Sequence, residues 1–133
     1  MNLKKYDTTT DCGIFQGPYV RITKGGIWTF NKVTAKDLGV KVGDRITIFQ
    51  DEENPKDWYL HIDRSPSGFL VRDSAGQLRF SSKPSFVRMI ESLGKDPKKI
   101  SSAAIQIGKP FDHDGLELLP LITSGIKLRI TTK

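Results

Sequence analysis

With 133 residues, 37% hydrophobic and 27% charged, the chain has the makings of one compact domain, or of two very small ones sharing a core, and not of a disordered tail. No run approaches the roughly 18 apolar residues of a membrane span, the opening Met1-Asn-Leu-Lys-Lys-Tyr-Asp7 lacks the apolar core of a signal peptide, and a single cysteine, Cys12, excludes an internal disulfide. A cytoplasmic location with no membrane partner is expected, and a formal charge of +6 with a pI near 9.5 favours acidic partners, nucleic acid first.

Residues 1–18 are polar and end in Gly17-Pro18, which reads as an arm leading into a first strand. From Val20 to Phe30 apolar and polar residues alternate around Gly25-Gly26, the signature of a tight hairpin. Residues 32–38 read as a short helix closed by Gly39, and after the turn at Val42-Gly43-Asp44 a strand is expected over 45–50. The acidic, proline-containing stretch 51–57 is a loop. Beyond it a meander is expected, with strands at 58–62, 69–72 and 78–80. Phe86, Met89, Ile90 and Leu93 then fall at helical spacing behind Ser82 and Pro84, predicting a helix over 84–93 that Gly94 ends. Strands follow at 103–107, 116–122 and 126–131, separated by Gly108-Lys-Pro and Thr123-Ser-Gly125.

The first of these units resembles the AbrB-like (SpoVT/AbrB, MazE-type) swapped-hairpin domains. Val20, Ile22, Gly26, Trp28-Thr29-Phe30, Leu38-Gly39-Val40 and Gly43-Asp44 fall on that family's pattern without a gap, over residues 20–51. The chain departs from it at Asn31, where the family usually has Pro and where Asn serves as a helix cap. It also has Ile27, Ala35 and Lys36 where DNA-binding members commonly carry arginine. A second, weaker echo lies in the chain itself. Gly76-Gln-Leu-Arg-Phe-Ser-Ser82 repeats the form of Gly26-Ile-Trp-Thr-Phe-Asn-Lys32, and each opens a helix ending in Leu-Gly. The expected fold is mostly β with short helices, an AbrB-like barrel whose hairpin–helix–strand unit at 19–54 is duplicated within the chain if the echo is real, and whose remainder, 55–133, shares its core. The barrel then forms either in a homodimer or, with the duplication, in a pseudo-dimeric single chain.

Catalytic chemistry is hard to find. His61 and His113 stand at no metal-ligand spacing from each other or from Cys12, and Asp112, His113 and Asp114 are adjacent in a turn, so their side chains diverge. The 51–57 loop lacks the Asp-x-Asp-x-Asp-Gly order of a calcium site, and Asp63, Ser65 and the remaining serines have no nucleophile-elbow context. No enzyme, cofactor or metal is expected. Two functional expectations stand side by side. One is a small DNA-binding regulator or antitoxin-like protein that contacts phosphates through Arg21, Lys24, Lys32, Lys36 and Arg45; the other is an interaction or structural module, such as a phage or mobile-element accessory, that does not bind DNA. Trp28 is either a stacking platform or, as its inward place in the family pattern implies, core.

Overall fold

The computed structural model describes residues 1–3, 17–63 and 66–131; Cys12, most of the expected arm, Ser65 and Lys133 lie outside them. Strands account for 49% of the structure and helices for 17%, in a nearly closed antiparallel barrel. Strand β1 (Tyr19–Thr23) buries Val20 and Ile22 completely and leaves Arg21 exposed. It turns into β2 (Ile27–Phe30), with the Gly26 amide donating to the Thr23 carbonyl at 2.8 Å. Helix α1 (Lys32–Leu38) follows, its N-terminus capped by the Asn31 side chain, which accepts from the Thr34 amide at 2.7 Å.

Strands β3 (Arg45–Gln50) and β4 (Trp58–Asp63) form a second hairpin across the acidic loop. The expected strand over 69–72 is broken in two, β5 (Phe69–Leu70) and β6 (Arg72–Ser74), because β5 pairs with β3 while β6 pairs with β7 (Gln77–Ser81). Val71 is the hinge, bonded through its own amide and carbonyl to Asp44 and Gly43. This short stretch closes the barrel: the ends of the strand order β5-β3-β4-β10-β8-β1-β2-β7-β6 are consecutive in the chain, and Phe69 stacks on Phe80 at 5.8 Å. Helix α2 (Lys83–Ser92) comes next, then a 3-10 turn (Pro97–Lys99), β8 (Ile100–Ile107), β9 (Phe111–His113) and β10 (Leu116–Ile130).

Two expectations change at this end. Thr123-Ser-Gly125 is not a turn between two strands. It is an irregularity inside β10, which pairs with β8 on both sides of it, and Thr123 donates its hydroxyl to the Lys56 carbonyl at 2.8 Å. Of Asp112-His-Asp-Gly115 only Asp114 and Gly115, both at positive φ, form a turn; Asp112 and His113 belong to the unforeseen strand β9, which pairs with β10.

The pairing registers repeat. Trp28 lies opposite Phe80 and Phe30 opposite Leu78, so moving β2 fifty positions along the chain places it on β7 and exchanges the two pairs. Leu60 opposite Leu119 and Tyr59 opposite Pro120 exchange in the same way under a shift of sixty, which carries β4 onto β10. Thr47 opposite His61 becomes Ile107 opposite Leu121 under that shift, and Val20 opposite Ile105 corresponds to Leu70 opposite Arg45. Half of the difference between the shifts enters in the second helix, whose closing Leu-Gly pair is at 93–94 against 38–39, and half in the front of β8. The barrel therefore has a pseudo-two-fold axis running between β2 and β7 on one side and between β4 and β10 on the other.

The two helix-flanking glycines of the first half differ in what surrounds them. Gly39, at φ 73°, has open space where a Cβ would lie, whereas a Cβ on Gly26, at φ 88°, would lie 2.4 Å from the Lys83 Cα. Gly39→Ala should cost about 1 kcal/mol in a urea titration, the ordinary cost of a left-handed position. Gly26→Ala should cost about 3 kcal/mol, since backbone strain and a clash with the start of α2 add. Equal losses would mean that the start of α2 moves aside freely.

Candidate nucleic-acid interface

The five cations singled out in the sequence do not form one cluster. Arg21 is exposed on the outer face of β1, and Lys24 sits in the turn that follows, its Nζ donating to the Lys98 carbonyl at 2.8 Å. Lys32 and Lys36 are exposed one turn apart on α1, near the other end of β1, where the Tyr19 amide donates to the Thr34 hydroxyl. Arg45 is half-buried on β3, four strands away from β1 around the barrel, and its guanidinium donates to the Gly68 carbonyl at 3.2 Å.

The sheet assembles a different set around Arg21. Reading across the strands in register, Arg72 on β6 lies opposite Arg79 on β7, Arg79 opposite Thr29 on β2, Thr29 opposite Arg21 on β1, Arg21 opposite Ala104 on β8, and Ala104 opposite Lys127 on β10. The flanking residues Trp28, Phe30, Phe80, Ala103 and Ile105 belong to the core, so this row faces outward. At about 4.8 Å per strand step, Arg79 and Lys127 each lie about 10 Å from Arg21, and the whole row runs about 24 Å along the curved surface. Arg129 extends it by one row, opposite Ser102.

The electrostatics of the row are one-sided. Strands β1, β2, β7 and β8 contain no Asp or Glu. Arg72 and Arg79 are like charges directly opposite one another, an arrangement that destabilises a bare sheet. The Arg79 Nε is buried and has no hydrogen-bond partner. A shallow groove of about 420 Å³ runs beside Arg21, Thr29, Asn31, Gln77 and Arg79. Trp28 takes no part in it: it is fully buried, stacked on Phe80 at 5.3 Å, with its Nε1 donating to the Ser82 carbonyl. The aromatic side chain on this face is half-buried Tyr19, so phosphate contacts and not base stacking dominate what the surface offers.

Sequence reading missed Arg72, Arg79 and Lys127. Their outward positions are legible from their apolar neighbours, Leu78 and Phe80 around Arg79 and Ile126 and Leu128 around Lys127. What aligns them with Arg21 is cross-strand register, which links residues as far apart as 72 and 127.

The other titratable groups are local. His61 Nδ1 lies 2.8 Å from the Glu117 carbonyl and its Nε2 3.5 Å from Asp63, while His113 and Asp114 pair at 3.3 Å in the open. Among the described residues no three His, Cys, Asp or Glu side chains come together in a way that would hold a metal. Asp51 accepts from the Glu53 amide at 2.9 Å and from the Asn54 amide, and these bonds hold its carboxyl below the usual carboxylate range. The charge around β3 and β4 is opposite to that of the row. Burial, then the charges of Asp57 and Asp51, push the Tyr59 phenol above its ordinary value of 10.0. An absorbance titration should therefore show Tyr59 ionising above 10.0, and Asp57→Asn with Asp51→Asn should bring it down without reaching that value, since burial remains. An unmoved midpoint would mean that the two carboxylates do not act on the ring.

Comparison with protein-family models, with curated proteins and with solved structures finds no match to this chain.

Proposed function

We propose that the protein is a non-enzymatic DNA-binding protein, of the regulator or antitoxin-like class, that holds duplex phosphates on the outer face of β6, β7, β2, β1, β8 and β10. The single observation that carries this reading is the registered row Arg72, Arg79, Arg21 and Lys127 across strands of which the middle four carry no acid. The opposed Arg72–Arg79 pair costs stability that an anionic ligand returns. On the resemblance to AbrB-like domains, in which paired basic hairpins of a dimer lie against the major groove, one chain would supply both halves.

The contacts are to phosphate, so binding is steeply salt-dependent and weakly selective. Of the residues on this face, only the arginines and Asn31 are equipped for bidentate base contacts. Fluorescence anisotropy with a labelled random duplex should give a log–log salt slope of about −3.6 if the four cations of the row each neutralise one phosphate. A single strand should bind more weakly, because the face lacks an exposed stacking platform. Absence of binding to either probe at about 50 mM salt, where electrostatic affinity is greatest, would end the nucleic-acid reading.

A further inference from the structure

The opposite side of the barrel carries a cleft of a different character, between the β3–β4 loop and the β9–β10 hairpin. Phe49, Tyr59, Phe111, Leu116 and Leu118 line it, enclosing about 510 Å³, within the range of about 300–1,000 Å³ that ligand sites occupy. Phe49 lies opposite Tyr59 in register, and the Phe111 ring meets Tyr59 edge-on at 5.6 Å. Phe49, Phe111 and Leu116 are 36%, 41% and 38% exposed, an unusual concentration of large apolar side chains at one place on the surface.

Around this cleft the charge of the molecule reverses. Asp51, Glu52 and Glu53 line its rim, and no Lys or Arg stands among its described lining residues. At the cleft wall, burial first and then the charges of Asp57 and Asp51 push the Tyr59 phenol above its ordinary value. Such a rim repels phosphate and anionic membrane, and it draws in cations. The apolar floor calls for a hydrophobic side chain among those cations. The basic row of a second copy offers the charge without the anchor, because Arg72, Arg79, Thr29, Arg21, Ala104 and Lys127 include no large apolar side chain.

We propose that this cleft docks a lysine- or arginine-rich segment of a partner protein, seated by an aromatic or aliphatic anchor side chain between Phe49, Tyr59 and Phe111. The two faces share no residue, so this site stands or falls independently of DNA binding. Binding energy at such a site concentrates in the buried anchor, while the rim charges set the encounter rate and the choice of partner.

The test uses the full chain and three fluorescein-labelled peptides of about a dozen residues. The first carries lysines around a central Trp-Leu pair, the second replaces that pair by serines, and the third replaces the lysines by glutamates. The first should bind, and each of the others should bind at least about tenfold more weakly. Phe111→Ser with Leu116→Ser should cost a similar factor, as should Glu52→Lys with Glu53→Lys on the exposed loop. Both double variants should keep the wild-type melting midpoint and the wild-type response to duplex DNA. Equal binding of the serine peptide would reduce the site to diffuse charge and overturn the proposal. So would undiminished binding by the Phe111→Ser, Leu116→Ser variant, or sedimentation showing that the wild type associates with itself through this cleft.

Discussion

Replacing Arg21, Arg79 and Lys127 together by alanine should lower affinity for random duplex DNA about a thousandfold at 50 mM salt and flatten the log–log salt slope from about −3.6 to about −0.9. Each of the three sits on the outer face of a different strand, and the sheet holds them in one line with Thr29 and Ala104 between. Three phosphates lost at about 0.9 each account for the change in slope, and the same exponents at low salt account for the affinity. The comparison that gives the result its meaning is a second variant, Lys32→Ala with Lys36→Ala. Those lysines are equally exposed but stand on α1, off the row. Their removal should move the slope by a small fraction of that amount, and Arg45→Ala, across the barrel, should not move it. A uniform response to all three variants would mean that net charge, and not the row, attracts the nucleic acid. Melting midpoints should separate loss of contacts from loss of fold, since Arg21 and Lys127 are exposed and neither belongs to the hydrophobic core.

Trp28→Ala should remove about 3–5 kcal/mol of stability, the loss typical of a large aromatic deleted from a core. The indole is fully buried, stacks on Phe80 at 19° between ring planes, and donates to the buried carbonyl of Ser82 at 3.2 Å. Truncation leaves a cavity and removes one of the two hydrogen bonds that this carbonyl accepts, the other coming from the Phe86 amide at 3.3 Å. Against a typical total of about 5–15 kcal/mol for a domain, the variant should be partly unfolded at room temperature, and guanidinium titration followed by the fluorescence of Trp58 would show it. A stable Trp28→Ala variant with impaired DNA binding would instead place the indole at the ligand surface.

Much of the scaffold was legible because its signals are local. The alternation around Val20 and Ile22, the Asn31 cap and the left-handed glycine at 39 each depend on residues within one turn of the chain, and all three recur in the structure. The echo of 26–32 in 76–82 also proved informative, since β2 and β7 pair with one another about the pseudo-two-fold axis. Other features were hidden because they depend on partners distant in sequence. Val71 splits an apparently continuous strand only because β3 and β7 claim its two ends, and Gly125 reads as a turn until β8 is seen to pair on both sides of it. The candidate surface was half visible for the same reason. Composition announced the positive charge and alternation gave Arg21 its direction, but nothing short of the register could tell Arg79 and Lys127 from the chain's other cations.

The pairing of Thr29 with Arg79 on the pseudo-two-fold axis bears on how such a surface can change over generations. In an assembly of two identical chains every substitution is made twice, and an arginine at this position would face its own copy across the strand pair. A chain that contains both halves is released from that coupling. One half can keep a neutral threonine while the other acquires a guanidinium, and each can be altered without its counterpart. The backbone retains its near-symmetry while the surface becomes directional, so a ligand with two distinguishable ends can be held one way round by a framework that would otherwise accept it both ways.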